Sequence, residues 1–148
     1  MDIDRLRQEI ESDEGNVGEI YLDHLKLPTL GIGHLIKKTD PEYGLPVGTP
    51  VSRKRINTYF NEDIQGTIED CEKLYKDFYK LPEEAKLILC NMMYNLGYTR
   101  LSKFSKLKAA INKGDWEEAS KQMHQSKWRT QVPNRAGRLI DRMKALGA

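Results

Sequence analysis

Apolar positions along this chain fall into helical spacing in most segments and into short apolar stretches in one. Ile3, Leu6 and Ile10 stand three and four apart behind Asp2, a residue suited to capping, and the pattern breaks at Gly15 and Gly18. A first helix of about three turns follows from that spacing. From Val17 to Ile36 the texture changes to short apolar stretches, Glu19-Ile20-Tyr21-Leu22 and Leu30-Gly31-Ile32-Gly33-His34-Leu35, on either side of a turn-like segment with Pro28. This is the pattern of a small antiparallel sheet. Pro41, Gly44, Pro46, Gly48 and Pro50 then break residues 37–50 into a loop.

Ser52 is placed to cap a long helix, because Ile56, Phe60, Ile64, Ile68, Cys71, Leu74 and Phe78 follow at helical steps as far as Lys80. At 1.5 Å per residue such a helix spans about 40 Å, enough to join two lobes. Past Pro82, the residues Leu87, Ile88, Cys90, Met92, Met93 and Tyr94 are apolar nearly all round a helix that ends at Gly97, so it belongs at the centre of the larger lobe. Shorter helices are expected over Leu101–Asn112, over Asp115–His124 behind an Asp115-x-x-Glu118 capping box, and over Pro133–Leu146. The expectation is an α+β fold in one domain of 148 residues. Its small β-containing lobe covers about 14–58 and its connecting helix about 52–80; the helical lobe takes about 81–148 together with the helix over 2–13.

Charge is unevenly placed. Residues 1–23 carry eight Asp/Glu against two Arg, residues 100–148 carry twelve Lys/Arg against four Asp/Glu, and the whole chain nets +2. A basic end of this kind suits solvated helix faces, or a polyanion such as nucleic acid or an anionic wall polymer. A nonenzymatic basic binding module is therefore one function class to weigh, although no helix-turn-helix, RRM or zinc-finger signature accompanies it. No apolar run is long enough to span a membrane, and Met1-Asp2-Ile3-Asp4-Arg5 is unlike a signal peptide. Cys71 and Cys90 lack metal or redox spacing and read as buried thiols; His24 and His124 have no ligand-spaced neighbours, so no metal is expected. Gly31-x-Gly33 lacks the third glycine of a dinucleotide site and is assigned to the sheet turn.

The candidate chemistry lies at the junction of first helix and sheet: Glu14, then Asp23 eight residues further on, then Thr29. Two carboxyls facing each other, with a hydroxyl beside the second, are equipped to split a glycosidic bond. One must carry a proton for the leaving oxygen, while the other must be ionised to activate water or to stabilise a positive transition state. With eight acids in 23 residues, a solvated acidic face is the competing reading of the spacing alone.

At these residues the chain resembles the T-even phage lysozymes of glycoside hydrolase family 24. The resemblance runs in order through Asp13-Glu14-Gly15, Ile20-Tyr21-x-Asp23, Thr29-x-Gly31-Ile32-Gly33-His34-Leu35, Phe60-Asn61-x-Asp63, Asn91-Met92, Gly97, Trp116-x-Glu118-Ala119, Ser126-x-Trp128 and Pro133-Asn134-Arg135-Ala136. It implies a lysozyme-like fold and an inverting muramidase that needs no cofactor. Glu14 would be the general acid, Asp23 would orient or deprotonate the attacking water, and Thr29 would help hold that water. Arg135 matches an arginine that lies beside the general acid and holds the helix end through Asp13 and Glu14, while His34 and Asp63 match a structural ion pair. Leu35 and Tyr94 match substrate-cleft positions, the latter with an added hydroxyl; Leu107 and Gln122 occupy two more cleft positions with side chains unlike the family's. Trp116 and Trp128 are expected to pack in the helical lobe. The implied substrate is the peptidoglycan glycan strand and the implied state a monomer, with no nucleic-acid partner and no stable membrane insertion. Such an enzyme would wait in the host cytoplasm and reach the periplasmic wall after another protein opens the membrane.

Overall fold

The computed structural model describes residues 1–148. Helix α1 covers Ile3–Glu14, strands β1, β2 and β3 cover Val17–Leu22, Pro28–Gly31 and His34–Leu35, and helix α2 covers Arg53–Leu74. A 3-10 turn at Phe78–Lys80 leads to α3 (Glu83–Leu96), α4 (Tyr98–Leu101), α5 (Ser105–Lys113), α6 (Trp116–His124), α7 (Lys127–Gln131) and α8 (Pro133–Ala145). This is an α+β fold of lysozyme type. No helix is long and apolar enough to cross a membrane. The chain divides into two compact units, residues 7–66 and residues 1–6 with 67–148.

The helix starts follow from local chemistry. The Asp2 carboxylate accepts from the Arg5 N–H at 3.0 Å, the Ser52 hydroxyl from the Arg55 N–H at 3.1 Å and the Asp115 carboxylate from the Glu118 N–H at 3.1 Å. Each satisfies a donor that the helix itself leaves open. Two helix ends depart from the periodicity. The long helix stops at Leu74 rather than running to Lys80, because Asp77 takes a left-handed backbone at φ 50° and the Lys76 N–H turns to the Asn112 side chain at 3.1 Å. Phe78 still reaches the core, but from the 3-10 turn. Likewise Leu101–Asn112 is not one helix: Phe104 leaves helical geometry at ψ 66°, and the Lys103 and Phe104 N–H groups close tight turns onto Arg100 and Leu101.

In the unit of residues 7–66 the sheet has the order β1-β2-β3, antiparallel throughout. Tyr21 pairs with Thr29, and Thr29 with Leu35; a bulge lies between Val17 and Tyr21. Directly paired residues share a face, so Tyr21, Thr29 and Leu35 form one row. Leu30 and His34, themselves paired, point the other way, to the side where His34 meets Asp63 of α2. The loop over 37–50 adds a partial fourth edge: the Ile20 N–H donates to Thr49 O at 2.9 Å, and the Gly48 N–H to Ile20 O at 2.8 Å. In the helical unit α3 is central, with Leu87, Ile88, Leu89, Cys90 and Met92 fully buried. Helix α8 packs on α6 and α3, and α5 on α6.

Candidate active site

Glu14 is the last residue of α1, half-buried, and its carboxyl lies over Gly33 in the β2–β3 turn. A Cβ at Gly33 would stand 2.5 Å from Glu14 Oε1, and the residue's φ of +64° is one that side chains resist. Glycine is therefore required twice over, by backbone and by neighbour. The Gly31-x-Gly33 pair singled out in the sequence thus lets the turn approach both the acid and, through Gly31, Ile56 of α2.

Asp23 opens the β1–β2 turn. Its Oδ1 accepts from the N–H groups of Leu25 at 2.8 Å and Leu27 at 2.9 Å, while its own N–H donates to Leu27 O at 3.0 Å. One carboxylate oxygen is thus consumed in holding the turn, with Lys26 in a left-handed conformation at its tip. Oδ2 takes no part in that hold. Thr29 is buried, and its hydroxyl donates to Leu27 O at 2.9 Å. Since the hydroxyl proton is spent on the turn, the oxygen's lone pairs are the part that can receive a water. Glu14, Asp23 and Thr29 all lie in the unit of residues 7–66. Leu35, beside Thr29 on the same face, leaves about half its side chain exposed.

Behind the sheet His34 is buried between two carboxylates: Nδ1 lies 2.7 Å from Asp63 Oδ2 and Nε2 2.8 Å from Asp40 Oδ2. Its ring stacks on Tyr59 at 3.9 Å between centroids. Burial alone would lower the imidazole pKa, but the hydrogen bonds and charges of Asp63 and Asp40 outweigh it and raise the value. Burial opposes the charge on Asp40 as well, yet the Lys37 N–H and the His34 ring hold that carboxyl below its usual range. Asp40 was no candidate from the sequence, because it lies in a loop whose path no local pattern predicts. Glu42 extends the cluster, taking the Arg55 Nε–H at 2.9 Å and the Tyr59 hydroxyl, while Arg55 also donates to that hydroxyl at 2.8 Å.

The other predicted residues lie in the helical unit. Arg135 is buried in the first turn of α8 and donates from Nε to Asn91 Oδ1 at 2.7 Å. Tyr94 is half-buried on α3. Leu107 and Gln122 line a pocket of about 730 Å³ that Arg100, Lys103, Lys106 and Lys127 also line. Trp128 also lines it, but is buried and donates from Nε1 to Asn95 Oδ1 at 2.7 Å, the role of a packed residue with one polar tie. Cys71 and Cys90 are buried and free. Nowhere do three or more His, Cys, Asp or Glu side chains converge as a metal site would need.

The fold is of lysozyme type, and comparison with known proteins shows a glycoside hydrolase. The phage lysozyme family model matches residues 11–145, and the chain belongs to that family. It is a peptidoglycan-degrading lysozyme, a glycoside hydrolase. Probable T4-type lysozyme 2 of Dictyostelium discoideum is 29% identical over 157 residues, spanning 93% of this chain and 92% of the relative. The pre-baseplate central spike protein Gp5 of Enterobacteria phage T4 is 28% identical over 148 residues, 88% of this chain but 26% of its own length. Peptidoglycan hydrolase gp36 of Pseudomonas phage phiKMV is 27% identical over 143 residues, 97% of this chain and 15% of its own.

Proposed function

We propose that this lysozyme hydrolyses the β-1,4 bond between N-acetylmuramic acid and N-acetylglucosamine by a single displacement with inversion. Glu14 protonates the leaving glycosidic oxygen. Asp23 accepts a proton from a water that attacks the opposite face of the sugar, the arrangement for which inverting enzymes in general hold their two carboxyls ~6.5–9.5 Å apart. Thr29 receives the other hydrogen of that water, which leaves a lone pair of the water to point at the anomeric carbon.

The observation that carries this reading is the hold on Asp23. Two backbone N–H groups fix Oδ1, and Thr29 sits on the same carbonyl that anchors the turn. A base aimed at a water must not rotate, and a nucleophile must reach carbon; this carboxylate is built for the first task. The free wall-degrading enzyme acts as a monomer on glycan strands in the periplasm, after the host membrane has been opened, and lyses the cell. The test is clearance of permeabilised Gram-negative cells by Glu14→Gln protein. The amide keeps the shape but has no proton to give, so clearance should fall by ~10²–10⁴-fold with the thermal midpoint unchanged. A folded Glu14→Gln protein that clears at the wild-type rate would remove Glu14 from the mechanism.

A further inference from the structure

Only Lys26 and Asp77 hold a left-handed backbone without being glycine. Asp77 has its explanation in the end of α2, but Lys26, at φ 61° in the β1–β2 turn, has none from packing. Its side chain is exposed and forms no hydrogen bond or ion pair. Nothing in that side chain offsets the strain that such a conformation imposes on an L-residue. Strain of this kind gathers where a site needs a particular backbone.

The residue that follows, Leu27, ties Asp23 and Thr29 together. Its N–H donates to Asp23 Oδ1 at 2.9 Å, and its carbonyl accepts both the Asp23 N–H at 3.0 Å and the Thr29 hydroxyl at 2.9 Å. The Lys26 N–H closes the turn onto Asp23 O at 2.9 Å, and the Leu25 N–H adds a second bond to Oδ1 at 2.8 Å. For Leu27 to donate to and accept from the same aspartate, its N–H and C=O have to face one side, as they do in extended backbone. Pro28 biases Leu27 to that form from the C-terminal side. On the N-terminal side, left-handed Lys26 makes the reversal that brings Leu27 back to Asp23. Burial does not keep Leu27 in place, since it is 41% exposed.

We propose that Lys26 is a positioning residue for the attacking water: its left-handed backbone aims the Leu27 N–H and C=O so that Asp23 and Thr29 are held as one unit. The role belongs to the backbone conformation and not to the ammonium group. Were Lys26 to relax to an ordinary conformation, the Leu27 N–H would leave Asp23 Oδ1, and Leu27 O would leave both the Asp23 N–H and the Thr29 hydroxyl. The carboxylate and the hydroxyl would then turn independently, and the two acceptors of the water's hydrogens would lose their aim together. A loss of aim at the reacting atoms slows turnover and leaves the rest of the substrate's contacts intact.

This role rests on the reading of Asp23 and Thr29 as the residues that hold the water. Lys26→Val keeps the backbone N–H but puts a β-branched side chain where left-handed backbone is a true outlier. In steady-state hydrolysis of a soluble peptidoglycan oligosaccharide it should lower kcat by roughly 10–100-fold and leave KM within about twofold. Lys26→Gly and Lys26→Asn lose the ammonium just as the valine variant does, but they readmit the left-handed backbone and should restore kcat to within about twofold of wild type. A turn that merely joined two strands would move the thermal midpoint across this series and leave kcat alone. In wild-type protein the Leu27 N–H should be protected from hydrogen exchange despite its exposed side chain, and Lys26→Val should lose that protection. Wild-type kcat in Lys26→Val would overturn the proposal. So would glycine and asparagine variants as slow as the valine one, or an unprotected Leu27 N–H in the wild type. Asp23→Asn in the same assay tells the two failures apart: if it is active the reading of the site fails, and if it is inactive while Lys26→Val turns over at the wild-type rate only the role of Lys26 fails.

Discussion

Replacing His34 by Asn should cost this protein stability in a pH-dependent way. The imidazolium sits between Asp63 and Asp40 at 2.7 and 2.8 Å, and it is 5% exposed against 24% and 13% for the two acids. Removing one partner of a buried ion pair costs ~3–5 kcal/mol, since the remaining charge keeps its desolvation penalty. Asp63 retains access to water, which places the expected cost near the lower end, about 3 kcal/mol. At roughly 2–4 °C per kcal/mol for a chain of this size, the midpoint should fall by about 6–12 °C. Since the folded-state pKa of His34 lies above the unfolded value of 6.5, its contribution is complete below pH 6.5 and is lost as pH rises through the raised value. Asp40 sets the opposite edge: held below 3.8, it contributes above that pH and its share is lost as pH falls through the lowered value. Thermal unfolding of wild type and His34→Asn between pH 4 and pH 10 should therefore show a gap widest near pH 5–6 and narrowing on the alkaline side. A gap of constant size across that range would refute the ionic account and leave His34 as packing against Tyr59.

Three further outcomes follow from particular contacts. Gly33→Ala forces a side chain into a left-handed backbone, at a cost of ~1–2 kcal/mol, and pushes aside the Glu14 carboxyl; turnover should fall by far more than the midpoint accounts for, and equal losses in both would place the clash elsewhere. If the basic stretch over 100–148 holds the enzyme on an anionic wall, raising salt should slow lysis of sacculi much more than hydrolysis of a short neutral fragment, because exposed charges are screened beyond ~8 Å at physiological ionic strength; equal salt sensitivity would show that it is no anchor. Cys71 and Cys90 are fully buried, so a thiol reagent should label them at the rate of unfolding, and labelling at the rate of a free thiol would contradict their burial.

What was legible in the sequence was mostly local. The caps at Asp2, Ser52 and Asp115 are chemistry between residues three apart, and the small sheet announced itself through short apolar stretches around a turn-like segment with Pro28. What failed depended on distant partners. The apolar period runs past Leu74 to Phe78 without a break, but Asn112, 36 residues away, takes the Lys76 N–H and the helix ends. Helix α7 is five residues long, too short for a periodic signal, although Ser126 does cap it at 3.3 Å. Asp40 could not be matched to His34 while the loop path was unknown; that path is set by bonds of Ile20 to Gly48 and Thr49. The spacing of Glu14, Asp23 and Thr29 stood out as a candidate site only because an ordered set of other motifs accompanied it, and the structure adds what spacing omits: the turn that grips Asp23 and the glycine beneath Glu14.

If Asp23 and Thr29 aim a water at the sugar face opposite Glu14, the stereochemistry of the first product must record it. Proton NMR of the anomeric signals in the first minutes of hydrolysis, before mutarotation, reads that stereochemistry directly. An inverting enzyme acting on a β-linked strand releases the α-anomer first, which then relaxes toward equilibrium. A product that begins as the β-anomer would mean that a group of the enzyme, not water, makes the first bond to carbon, and Asp23 and Thr29 would not be the residues that hold and activate the attacking water.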